Sequence, residues 1–163
     1  MTQAHEVLAT VCVRYLNFLN SDTASNIAGS HDFLDHSAKT WTTHFREASI
    51  TPTAAILPSA LRICDPDSRS YAAWFGISWE TTYLAKTKHF SNLMLASYCG
   101  HCVIAKVLLE QGAHVDCTDT IYGQTPLSRA AGDEHKEVVK LETESTSRPS
   151  QKFVRSGTTT FKS

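Results

Sequence analysis

The chain has 163 residues, 42% hydrophobic and 19% charged, with a formal net charge of −1 and a pI near 6.7. That length suits one ordinary domain or two small ones with a modest core, and so balanced a charge makes no basic field for nucleic acid. No apolar run approaches the roughly 20 residues that span a bilayer. The start, MTQAHEVLATVCVRYLNF, carries neither a basic leader nor a small-residue cleavage site. Five cysteines without a secretory signal read as free thiols in a reducing compartment, so a cytoplasmic or nuclear setting is expected.

In chain order, residues 5–19 repeat Leu8, Cys12, Tyr15, Leu16 and Leu19 at helical spacing. The polar run SDTASNIAGS breaks that pattern. A second helix is predicted over 32–48, with Leu34, Ala38, Trp41, Phe45 and Ala48 on one stripe and Asp32 as its N-cap. Thr51-Pro52 bars its continuation, because a residue before proline is pushed out of the helical region. Pro58 to Asp67 reads as a connector with short helical content, and the aromatic run Tyr71 to Leu84 as divided by Gly76. Residues 91–110 read as two short helices hinged at Gly100-His101, and 124–141 repeat that design. From Glu142 the chain turns rich in Ser and Thr, and a disordered tail is expected over 142–163.

The two hinged pairs align directly. Ser91–Ala96 lies over Thr125–Ala130, Gly100-His101 over Glu134-His135, and Ala105–Leu108 over Val139–Glu142, 34 residues apart throughout. Thr125 caps a helix whose first turn accepts Pro126. Gly100 and Gly112 offer the left-handed residue that ends a helix. Thr125-Pro126-Leu127 with Ala130-Ala131, and Leu108-Leu109-Glu110-Gln111-Gly112-Ala113 with the turn to Asp116, resemble the ankyrin repeat, whose period is about 33 residues. Asp119 and Gly123 match the hairpin leading to the next repeat, with one extra residue.

The departures are specific. Met94 and Ser128 stand where the signature has histidine, and Glu134 where it has the helix-ending glycine. The second repeat breaks off after Leu141. Tyr71–Ile77 looks like the hinge of a third, degenerate unit. Short arrays bury little continuous core, so marginal stability without a polar C-terminal cap is expected.

Residues 5–48 carry a second resemblance. His5-Glu6-Val7-Leu8-Ala9, Cys12, Arg14-Tyr15-Leu16, Phe33–Ala38, Trp41, His44 and Glu47 are similar to the helical segment that precedes the repeats in fungal NACHT–ankyrin proteins. There is no GxxxxGK[ST] loop for nucleotide. The organisation expected is all-α: a helical segment (1–57), a short degenerate ankyrin solenoid (58–141; one complete and two partial repeats), and the tail.

Three chemistries compete with a scaffold. Cys99-Gly100-His101-Cys102 spells CGHC, the tetrapeptide of thiol–disulfide oxidoreductases, which makes redox catalysis the alternative function. That chemistry places its first cysteine at a helix N-terminus, whereas the repeat places Cys99 at a helix C-terminus. Cys99, Cys102, His114 and Cys117 have zinc-like spacing, but the helix between the pairs rises roughly 12 Å, beyond ligand reach. No GxSxG or HExxH motif occurs. His31, His36, His44 and His89 read as surface or packing residues, and Trp41, Trp74 and Trp79 as core.

The resemblance therefore implies a non-catalytic protein–protein interaction module without cofactor, metal or small-molecule substrate. Carried over by position, its partner-binding surface comprises the hairpin tip Asp119, Thr120, Ile121 and Tyr122. To these it adds Leu95, Tyr98 and Cys99 in one repeat, and Arg129, Gly132 and Asp133 in the next.

Overall fold

The computed structural model describes residues 2–18, 31–80, 90–120 and 122–147. These form eight helices and no strand: α1 (Thr2–Phe18), α2 (His31–Glu47), α3 (Leu57–Ile63), α4 (Arg69–Glu80), α5 (Asn92–Cys99), α6 (Cys102–Glu110), α7 (Pro126–Gly132) and α8 (Lys136–Ser147). Leu19, His89, Trp79's side chain, Ile121 and the tail from 148 onward lie outside what is described.

The first four helices pack together, α1 on α2 and both against α4. Ala9, Cys12, Val13 and Leu16 of α1 meet Ala38, Trp41 and Phe45 of α2 in one buried cluster. Trp41 and Trp74 are edge to face at 5.1 Å, the geometry that the ring quadrupoles favour. The Trp74 indole N–H donates to the Ile63 carbonyl at 2.8 Å, and Asn17 Nδ2 donates to the Ser59 carbonyl at 2.7 Å. These bonds tie α3 to α4 and to α1.

Three sequence expectations need correcting here. Asp32 sits inside the first turn of α2, so it acts on the helix dipole and is not the N-cap. The short helical content expected from Pro58 is α3 itself, because proline costs nothing in a first turn whose N–H groups are unpaired anyway. Gly76 does not divide the aromatic run; α4 runs straight through it, and Gly76 is not among the positive-φ glycines. The hinge of a third repeat is therefore not there, and α4 packs on α1 and α2. Finally, α8 continues past Leu141 to Ser147. Glu142 is fully buried and accepts a short hydrogen bond from the Ser97 hydroxyl of α5, which holds the helix where a disordered tail was expected.

The two hinged pairs repeat in detail. Ser91 Oγ accepts from Met94 N at 3.2 Å, and Thr125 Oγ1 accepts from Ser128 N at 3.2 Å. Gly100 (φ 71°) and Glu134 (φ 59°) occupy the left-handed position that ends the first helix of each pair. The following amides reach back identically, His101 N to Ala96 O and His135 N to Ala130 O, both at 2.8 Å. Gly112 (φ 86°) ends α6, with Ala113 N bonding Leu108 O at 2.9 Å. α5 packs on α6 and α7, and α8 on α6 and α7. One continuous core runs from Ala9 to Val138.

Candidate functional site

The CGHC stretch is the turn between α5 and α6. Cys99 ends α5 and Cys102 begins α6. Cys99 is buried, and burial pushes its thiol up to about 12. Burial raises Cys102 as well, with Glu137 adding to the effect. Exchange chemistry needs a thiolate, and both thiols are held in the protonated form at neutral pH. All five cysteines are free. Among the described residues no three His, Cys, Asp or Glu side chains converge as metal ligands. Cys117 Sγ lies 3.1 Å from the His114 carbonyl and 3.2 Å from Ser91 Oγ.

The two central residues of the turn carry its structural weight. His101 is buried, with its ring 4.8 Å from Trp41 and 5.0 Å from Phe45. Neither ring nitrogen has a hydrogen-bond partner among the described residues. Burial, then Arg46 and His135, push its pKa down to about 3, so it sits as a neutral ring joining the repeat to the N-terminal helices. Gly100 faces His135 across the repeat interface. His135 Nε2 lies 2.8 Å from the Tyr98 carbonyl; a carbonyl only accepts, so Nε2 bears the proton.

The hairpin before α7 is held by Asp119. That carboxylate is buried and accepts from Tyr122 N at 2.6 Å, Gln124 N at 3.1 Å and Arg129 Nη2 at 3.1 Å. The Arg129 guanidinium lies between two rings, 5.1 Å from Phe90 and 5.6 Å from Tyr122. A charge stripped of water in this way needs its partner, and the pair locks the hairpin onto α7.

The surface inferred from the repeat is thus divided. Thr120, Tyr122, Gly132 and Asp133 are exposed, and Tyr98 is half-buried. Ile121 falls outside the described residues. Leu95 and Cys99 are buried, as are Asp119 and Arg129. The expectation that these four face a partner is corrected. Leu95 and Cys99 belong to the continuous core shared with the N-terminal aromatic helices. Asp119 and Arg129 neutralise one another. Of the repeat-signature residues, Gly100, Gly112 and Gly123 all have positive φ. Thr125 caps α7 with Pro126 in its first turn. Ala113 and Leu127 are half-buried.

Two clefts flank the hinge turns. The larger, about 490 Å³, lies between the end of α2 and the turns at Gly100-His101 and Glu134-His135, with Phe45, Ile50, Val103 and Val138 supplying apolar wall. The smaller, about 340 Å³, has Thr42, Tyr98 and Asp133 in its wall. Arg46 and His135 border both. Periodicity gave no hint of these clefts, because they arise where the aromatic helices meet the repeat turns.

Residues 89–120 match the family model of the ankyrin repeat. The matched span holds the Ser91 cap, the Gly100 hinge and the Gly112 stop. No curated protein and no solved structure matches the chain.

Proposed function

We propose that this chain is a non-catalytic protein–protein interaction module built on ankyrin repeats, part of or derived from a larger fungal signalling or self-recognition protein. The carrying observation is the return of cap, left-handed hinge residue and back-reaching amide at 34-residue spacing, in a chain whose residues 89–120 match the repeat's family model. The N-terminal likeness to the helices preceding the repeats in fungal NACHT–ankyrin proteins supports the wider assignment. Repeats of this kind offer surface and no reacting group, which agrees with thiols pushed upward by burial.

The partner surface we assign is the exposed part of the hairpin and hinge side: Thr120, Tyr122, Gly132 and Asp133, with the edge of Tyr98. Tyr122 offers a large amphipathic ring of the kind enriched at interfaces. The test is capture of partners on the immobilised full chain, beside the double variant Tyr122→Ala/Asp133→Lys with helicity checked by circular dichroism. Loss of a specifically captured protein in the variant supports the assignment. Capture unaltered by the variant overturns the surface, and turnover in an insulin-reduction assay overturns the non-catalytic reading.

A further inference from the structure

The helix α1 is apolar on two neighbouring faces, with Gln3, Glu6, Thr10 and Arg14 on the remaining side. One face, Ala9, Cys12, Val13 and Leu16, is buried in the core. On the other side Ala4, Leu8, Val11, Tyr15 and Phe18 recur at spacings of four and three, the seam that a helix presents to another helix. Leu8, Val11 and Phe18 are 42%, 45% and 41% exposed, and beside them Val7 is 59% exposed. Phe33 of α2, 38% exposed, extends the patch through its edge-to-face contact with Tyr15 at 4.7 Å. An apolar stripe along a helix is normally packed against another element. Five of the six large hydrophobics exposed among the described residues lie in this one place; the sixth is Tyr122.

We propose that this face is the interface of a homodimer in which α1 of one copy packs antiparallel on α1 of a second. The area argues for a protein-sized occupant. The five exposed side chains present roughly 400 Å² of apolar surface, within the range of the largest patches on soluble proteins, which are often functional. With the polar rim that accompanies such a core, that corresponds to about 700 Å² per partner, close to the standard interface of about 800 Å². Charge argues against a membrane surface: the seam itself holds no charged residue, and Arg14 is the one cation of α1. Shape argues for the antiparallel pairing. A two-fold axis midway between Leu8 and Val11 pairs Leu8 with Val11 and sets each small Ala4 against a large Tyr15. Parallel packing would instead stack Phe18 on Phe18, against the alternation of large and small that close packing prefers.

Sedimentation equilibrium on the full chain from 1 to 500 μM is the direct test. The expected result is a mass rising from 18.0 kDa to twice that, with Val11→Glu weakening association at least tenfold at unchanged helicity. If that variant loses its fold, isotope-filtered NOEs between labelled and unlabelled wild-type copies decide, with contacts expected between the two α1 helices. A monomer throughout the range overturns the proposal. So does a dimer that survives Val11→Glu, or filtered NOEs confined to other helices. Binding to anionic vesicles that is lost in Val11→Glu, from a chain that stays monomeric, would reassign the face to a lipid surface.

Discussion

Replacing Gly100 by alanine tests the hinge most directly. Gly100 has φ +71°, and a Cβ placed there would lie 2.6 Å from Nδ1, 2.8 Å from Cε1 and 2.9 Å from Cγ of His135. The left-handed conformation alone costs a non-glycine residue about 1 kcal/mol. The ring cannot yield freely, because its Nε2–H is bonded to the Tyr98 carbonyl. Moving it sacrifices a partly buried hydrogen bond at about 1 kcal/mol, plus some packing. The expected cost is about 2–3 kcal/mol, a fall of roughly 1–2 M in urea midpoint, read by tryptophan fluorescence. Gly112→Ala is the internal control, since φ is +86° but nothing lies within 4 Å; it should cost only the conformational part, about 1 kcal/mol. In a His135→Ala background the cost of Gly100→Ala should drop to that of Gly112→Ala. Equal costs at 100 and 112 in the wild-type background would refute the claim that Gly100 is required by its approach to the next repeat.

Glu134 is exposed at φ 59°, so Glu134→Gly should stabilise the fold by about 1 kcal/mol in the same urea assay. His101 takes a proton near 6.5 when unfolded but only at about 3 when folded. Between those values the unfolded state binds more protons, so this histidine makes stability rise with pH from about 3 to 6.5 and level off above. The span is at most about 5 kcal/mol, and His101→Leu should flatten it in pH-dependent urea melts. Cys99 should react with a thiol reagent only as fast as the protein unfolds, and Cys102 should titrate above a free thiol because burial and Glu137 raise it. A rapid reaction at Cys99 in the native state would revive the oxidoreductase alternative.

The repeat was legible because its signals are local. A hydroxyl two residues before Leu93 or Leu127, and a turn residue nine positions after that hydroxyl, act on their own backbone wherever the helix is placed. Even the strained Glu134 could be read, because the aligned residue is Gly100. Burial was not legible, because it depends on what packs against the repeat. Position within an ankyrin repeat puts Leu95 and Cys99 on an open face; Trp41, Phe45, Tyr71 and Trp74 share one core with them and close it. His101 read as a turn residue, although it is the ring that docks the repeat onto α2. Gly76 read as a hinge, since a glycine at the end of an apolar run looks the same whether the helix stops or continues. Leu8 and Tyr15 of the outer face of α1 fall into one helical period with Cys12 and Leu16 of the inner face, so the sequence alone did not tell the two faces apart.

The end of the array also takes a physical meaning from these contacts. Glu142 stands where the first repeat has Leu108, and an unpaired carboxylate there would be costly. Burial raises its pKa, against the Ser97 hydrogen bond that lowers it. The Ser97 Oγ also lies 2.7 Å from the Leu93 carbonyl, so its single proton is divided between that carbonyl and Glu142, which roots the contact in α5. Around it, Ser128, Ala131 and Gly132 are exposed on α7, and Thr143, Glu144, Thr146 and Ser147 on α8. None of the exposed large hydrophobics belongs to either helix. Repeat arrays need a terminal unit with a polar outer face, and α7–α8 has one, so the expected lack of a cap is corrected. What the sequence presents as a repeat decaying into a polar tail is, in three dimensions, a repeat whose last helix exchanges leucines for residues that face water or bond back to α5.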